Sequence, residues 1–261
     1  MNEKRLLITM GCSFTEGVGC WDMEITPETL RANDRNYHFY SNSEQNKKRF
    51  HEFGWPNRVG KKLGFDKVVN IGRQGDGISS QLKRFTERIL DNNQYKDYKI
   101  TIVFLLPEPA RFSFYFDNKI KSFGPYNSHM GIVREYLFNL KNSEGDPFLE
   151  QLFYLKLFRE MCKSREYDYY LFNLYTDEFN EWIINHFNDE RYSTRCIDFA
   201  HYDTDHLMNL ICGHFNEDGY ELVSENMCEF MLSKDKNIKK DNKNFEWEWL
   251  GDDYSWKEKL E

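Results

Sequence analysis

The 261-residue sequence holds no Cys-x-x-Cys pair, no long basic run, and no apolar stretch near the roughly 18 residues of a membrane span. Each absence removes a class of protein. Six cysteines occur, at Cys12, Cys20, Cys162, Cys196, Cys212 and Cys228. Without a Cys-x-x-Cys pair, neither a zinc ribbon nor a thioredoxin-type motif is expected. The formal net charge is −8. Nucleic-acid binding depends on neutralising phosphates, so no nucleic-acid partner is expected. The short runs Lys47-Lys48-Arg49 and Lys239-Lys240 sit in polar surroundings and read as solvated faces. The opening Met1 to Arg5 leads into an apolar run of a strand's length, too short for a signal-peptide core. The expected compartment is therefore a reducing cytoplasm with free, mostly buried thiols. Alanine is scarce, while Asn, Lys, Asp, Phe and Tyr are plentiful. That composition suggests an AT-rich genome such as a bacteriophage's, which would also allow a virion-associated protein.

What is present is globular. Hydrophobic residues make up 40% and aromatic residues 17%, with a mean hydropathy of −0.77. Much of the core must come from Phe and Tyr, which bury large areas per residue. The length suits one large α/β domain. Five apolar runs read as strands: Leu6–Met10, Lys67–Ile71, Ile100–Leu106, Tyr169–Leu174 and Arg195–Phe199. The first three are nearly continuous, as in strands buried on both faces of a parallel sheet.

Helical periods lie between them. Trp55, Val59 and Leu63 recur every four residues, with Pro56 suited to a first turn. Ile78, Leu82, Phe85 and Ile89 line one helical face, which Ser79 or Ser80 could cap. A less regular helix spans about 147–163. Val223, Met227 and Phe230 line a last helix, with Asn216 as its cap and Glu217 and Asp218 in its first turn. Strands alternating with helices predict a three-layer α/β/α sandwich on a mainly parallel five-stranded sheet. Residues 1–232 form this single domain, with a polar insertion at about 22–52. Residues 233–261 read as a polar linker and an acidic, Trp-rich tail that could dock on the domain or on a protein partner.

In open parallel sheets ligands bind beyond the carboxyl ends of the strands. After the first strand comes Gly11-Cys12-Ser13-Phe14-Thr15-Glu16-Gly17. A serine here, with glycines on both sides, is either an exposed nucleophile or a cap of the next helix. Thr15 stands where a Gly-x-Ser-x-Gly elbow would have its last glycine. After the second strand comes Asn70-Ile71-Gly72-Arg73-Gln74-Gly75-Asp76-Gly77, whose glycines let main-chain N–H groups approach an anion. Its spacing is not that of a dinucleotide loop, and it lacks the Walker lysine. After the third strand, Glu108 and Arg111 in Pro107-Glu108-Pro109-Ala110-Arg111 could face the same crevice. A surface ion pair is the plainer reading. After the fifth strand a long loop carries His201, His206 and His214, and His214 precedes the last helix.

Together these blocks resemble the SGNH/GDSL hydrolase family. Gly11-Cys12-Ser13 is similar to the family's Gly-Asp-Ser block, with Cys12 in place of Asp. Asn70 to Gly75 is similar to its Asn-x-Gly-x-x-Gly turn. Trp55-Pro56 is similar to a common opening of the preceding helix. His214-Phe215-Asn216 with Gly219-Tyr220 is similar to its histidine block. The matching pieces span residues 6–90 and 200–232. The resemblance implies an SGNH/flavodoxin-like fold and a serine esterase needing no metal or cofactor. Ser13 would be the nucleophile and His214 its base, and the N–H groups of Ser13 and Gly75 would hold the oxyanion. Acetylated carbohydrates, lipids or small acyl esters are the implied substrates.

Two positions depart from the pattern. Pro107-Glu108-Pro109 replaces the family's oxyanion Asn, and a carboxylate cannot supply that donor; Arg111 is the candidate to compensate. Ile211 occupies the place of the Asp that orients the histidine, so Asp203 or Asp205 would have to reach His214. The stretch Asp203-Thr204-Asp205-His206 has the same spacing and makes His206 a rival. These departures leave open a catalytically degenerate binding or structural module, and the Gly72–Gly77 loop leaves open a nucleotide- or phosphate-binding protein.

Overall fold

A strand buried on both faces must be apolar on both, and the first three predicted runs become such strands. The computed structural model describes residues 3–18, 20, 44–107, 111–116, 119–123, 149–173, 183, 185–193, 207–209, 214–235 and 246–249. Strand β1 (Lys4–Met10) leads into a single turn of helix, α1 (Ser13–Glu16). Helices α2 (Glu44–Phe53) and α3 (Trp55–Lys62) precede β2 (Lys67–Asn70). Helix α4 (Ile78–Phe85) runs on into a π turn at Thr86–Leu90 before β3 (Tyr98–Leu106). A hairpin of β4 (Phe112–Phe116) and β5 (Lys119–Phe123) follows, then α5 (Leu149–Ser164) and β6 (Asp168–Asn173). The last elements are β7 (Tyr192–Ser193), the short pair β8 (Met208–Asn209) and β9 (His214–Phe215), α6 (Glu217–Lys234) and β10 (Glu246–Trp249).

The main sheet is parallel, in the order β10-β2-β1-β3-β6-β7. Alternate residues divide the core. Leu7, Val68, Val103, Leu105, Tyr170 and Phe172 face one way, toward Trp55 and Val59 of α3 and Val223, Met227 and Met231 of α6. Ile8, Val69, Ile102, Phe104 and Leu171 face the other way, toward Leu82 and Phe85 of α4 and Leu155 and Phe158 of α5. The protein is thus a three-layer α/β/α sandwich. Strands β2-β1-β3-β6-β7 follow the flavodoxin-like order, which places a topological switch point beside β1.

Four expectations are corrected or relocated. The sheet has six strands, not five, because the Trp-rich tail supplies β10. Trp247 pairs with Val68 and Trp249 with Asn70, and Trp247 packs against the core. The fifth place in the order is taken by Tyr192–Ser193, whereas the expected strand at 195–199 lies outside the described residues. Helix α4 is capped by Gly77, not by Ser79 or Ser80 acting as the cap residue. Ser80 serves from inside the first turn, its Oγ accepting from the Gly77 N–H at 3.0 Å. The end of the polar insertion, Glu44–Phe53, is a helix that buries Phe50.

Candidate active site

The carboxyl end of β1 turns sharply at Gly11, whose φ of +146° suits glycine. A Cβ there would lie 2.1 Å from Thr15 Oγ1 and 2.6 Å from the Leu105 carbonyl. Ser13 is therefore delivered at once, as the first residue of α1, where a helical N–H has no intrahelical partner. Its side chain meets His214: Oγ and Nε2 are 2.7 Å apart. Ser13 is 2% exposed.

Several contacts hold His214 at that distance. Its ring lies 4.7 Å from the Phe14 ring, and Phe215 packs on Phe14 at 5.1 Å. The β8–β9 pair sets Asn209 opposite His214. The Asn216 N–H donates to the Leu207 carbonyl at 3.0 Å. As expected from its type, Asn216 caps α6, its Oδ1 accepting from the Gly219 N–H at 2.9 Å. Buried Tyr220 donates its hydroxyl to the Val18 carbonyl at 2.7 Å, tying α6 to the segment after Ser13. Arg49 and Arg58 pair with Glu217 and Glu221 and fasten α6 to α2 and α3.

The turn after β2 is joined to α1 just as closely. Asn70 Nδ2 donates to the Thr15 carbonyl at 2.8 Å, and Asn70 Oδ1 accepts from the Gly72 N–H at 2.8 Å. The Arg73 N–H reaches the Gly11 carbonyl at 3.0 Å. Glu16 Oε2 accepts from the Gln74 N–H at 2.6 Å. Gln81 receives the Gly11 N–H at 3.0 Å and donates to Asp76 Oδ2 at 2.7 Å, and Arg84 pairs with Asp76 at 3.1 Å. Burial pushes the Glu16 carboxyl up to about 7, against the Gln74 hydrogen bond and nearby Arg73, which favour its charge. The Asp76 carboxylate also opposes that charge, and Arg84 favours it.

The structure thus brings together Ser13, His214 and the turn that carries Gly75, whose φ is +82°. Arg111 lies against Gly77, where that loop enters α4: a Cβ on Gly77 would lie 2.9 Å from the Arg111 carbonyl and 3.2 Å from its Cβ. Asp203, Asp205, His206, Ile211 and Glu108 lie outside the described residues. Nothing in the sequence pattern assigns a role to Glu16 or Gln81. Their partners are 58 and 70 positions away, and only the folded chain joins them. Among the described residues, no group of three or more His, Cys, Asp or Glu side chains could hold a metal ion. No described helix is long and apolar enough to cross a membrane.

No family profile matches the chain, and no curated protein matches its sequence. Solved structures do resemble it. The lipase Lip_vut3 from a goat rumen metagenome is 17% identical over 87% of this chain and 97% of that one, with a TM-score of 0.43. A carbohydrate esterase, whose active site displays divergent catalytic and non-catalytic binding functions, is 15% identical. That likeness covers 91% of this chain and 71% of that one, with a TM-score of 0.50. It is a likeness of fold alone, and it agrees with the parallel sheet flanked by helices on both faces that makes this chain an α/β protein.

Proposed function

We propose that this protein is a serine esterase of SGNH/GDSL type that cleaves an O-acyl ester through an acyl-enzyme. The observation that carries the reading is the 2.7 Å approach of Ser13 Oγ to His214 Nε2 at the carboxyl edge of the sheet. His214 Nε2 takes the hydroxyl proton as Oγ attacks the ester carbonyl. The N–H groups of Ser13 and Gly75 hold the tetrahedral oxyanion. Collapse expels the alcohol, which receives the proton from His214. Water, activated by the same imidazole, then attacks the acyl-Ser13 and releases the acid. Asp203 or Asp205 is the candidate partner for Nδ1, in the orienting role that a triad carboxylate plays. Arg111 and Glu108 are candidate substrate contacts, and Arg111 lies against Gly77, two residues beyond Gly75. No metal or organic cofactor enters these steps. The fold shared with a carbohydrate esterase favours an acylated sugar or another small acyl ester as the substrate class.

The sequence after β3 supports a second reading, a degenerate module that binds without turnover. Pro107-Glu108-Pro109 offers no side-chain amide to the oxyanion, and removal of one such donor costs on the order of 10²–10³ in rate.

Hydrolysis of p-nitrophenyl acetate by the parent, Ser13→Ala and His214→Ala separates the readings. Turnover in the parent that both substitutions abolish supports the esterase. Equal rates in all three proteins sink Ser13 as the nucleophile.

A further inference from the structure

We propose that Glu16 is a positioning residue for the oxyanion site, fixing the Gly75 N–H through its hold on the preceding residue, Gln74. This inference rests on the esterase reading. The Asp76 N–H donates to the Arg73 carbonyl at 3.2 Å, which closes a β-turn with Gln74 and Gly75 at its centre. A Gly75 φ of +82° is that of the third residue of a type II turn. Turns of types I and II differ in the orientation of this central peptide, the one that carries the Gly75 N–H. The N–H of the second residue, Gln74, takes no part in the turn's own bond and needs an outside acceptor. Glu16 Oε2 supplies it at 2.6 Å, from one helical turn beyond Ser13. One carboxyl thus links the nucleophile's helix to the peptide adjoining the oxyanion donor.

Asn70 Nδ2 and the Arg73 N–H join the two segments elsewhere, at the Thr15 and Gly11 carbonyls, ahead of the turn's central peptide. Glu16 acts on the turn itself. The charged groups facing it are Arg73 and Asp76 from the turn and Arg84 from α4. A carboxyl raised to about 7 carries a proton part of the time near neutral pH, and in either state an oxygen remains to accept from Gln74.

The test compares the parent, Glu16→Ala and Glu16→Gln on p-nitrophenyl acetate, with rates expressed per serine titrated by a fluorophosphonate. That normalisation removes misfolded protein. Glu16→Ala is expected to lower kcat on the order of 10- to 100-fold, as slight misplacement of a catalytic group does, with KM within about twofold. Glu16→Gln keeps an oxygen for the Gln74 N–H and is expected to remain within about threefold of the parent. An unchanged kcat in Glu16→Ala overturns the proposal and leaves the esterase reading intact. So does a loss confined to KM, or a Gln variant as poor as the Ala variant. A parent that neither turns over the ester nor takes the fluorophosphonate on Ser13 overturns both.

Discussion

Asn70 reaches across to the nucleophile's helix, donating its amide to the Thr15 carbonyl at 2.8 Å while its Oδ1 receives the Gly72 N–H. Asn70 is 1% exposed and Thr15 fully buried, so water cannot replace either bond. Asn70→Ala strands a carbonyl and an N–H together. The expected loss is about 2–4 kcal/mol of stability, along with slower turnover as the two segments separate. Asn70→Asp keeps an acceptor for Gly72 but sets an oxygen against the Thr15 carbonyl, and it too is expected to be less stable than the parent. Urea unfolding of the three proteins checks this. An alanine variant with the parent's midpoint would mean that the clamp contributes nothing.

Much of the scaffold was legible because it follows short-range rules. The β3 run from Ile100 to Leu106 could be read from its continuous apolar character, and α3 from Trp55, Val59 and Leu63 at four-residue spacing. The serine and the histidine could be singled out because glycine, asparagine and strand context surround each of them. Contacts between distant segments were not legible. Asn70 meets Thr15 across 55 positions, and no periodicity encodes that. The tail's aromatics point to docking on the domain, but its place in the sheet is not legible: Glu246-Trp247-Glu248-Trp249 alternates like a strand, yet it is only four residues long and follows a polar run. Only the open edge of β2 gives it a partner. The cap of α4 escaped because Gly77 has no side chain to announce it, and Ser80 acts from within the helix.

The docked tail strand makes a stability prediction. The Glu246 N–H donates to the Asp66 carbonyl at 2.9 Å, and Lys67 pairs with Glu248 at 2.8 Å and with Glu246 at 3.0 Å. Tyr95 donates its hydroxyl to Glu248, and the Trp247 ring lies 5.2 Å from that of His51. A chain ending at Lys234 loses these contacts and bares the β2 edge, an invitation to strand pairing between molecules. The expected loss is about 2–4 kcal/mol, less than for a fully buried Trp and its neighbours. Size-exclusion chromatography should show association of the shortened chain. A monodisperse truncated protein with an unchanged melting temperature would rule out a stabilising role for β10.

Glu16 also predicts how stability varies with pH. Its carboxyl is raised from an ordinary 4.5 to about 7 in the folded state. Between those values the folded protein binds more protons than the unfolded chain, so stability falls as pH rises through the window. The shift sets an upper limit of about 3 kcal/mol, and partial exposure of Glu16 lowers the expected share to about 1–3 kcal/mol. Glu16→Gln has no such proton to lose. The gap in melting temperature between the two proteins should therefore move in favour of Glu16→Gln from pH 4.5 to 7.5. A constant gap across that range would show that the Glu16 carboxyl titrates normally.

Gly11 and Gly64 provide a matched pair, since both have positive φ, +146° and +62°, but they stand at opposite ends of the strands. Gly64 precedes β2, away from the candidate site, and +62° is a left-handed conformation that other residues adopt at modest cost. Gly64→Ala is expected to cost about 1 kcal/mol and to leave turnover unchanged. At Gly11 a methyl group would collide with Thr15 Oγ1 and with the β3 backbone at Leu105. A backbone oxygen of a central strand cannot move aside cheaply, so Thr15 and with it α1 must shift. Strain and overpacking together predict a loss of about 2–5 kcal/mol for Gly11→Ala. The same displacement carries Ser13 away from His214, so turnover per folded molecule should fall as well. Thermal unfolding and ester hydrolysis on the two variants give four numbers, of which only the stability should change for Gly64→Ala. A Gly11→Ala protein with parental turnover would mean that the Ser13–His214 contact does not depend on the close approach of Gly11 to Thr15 and Leu105.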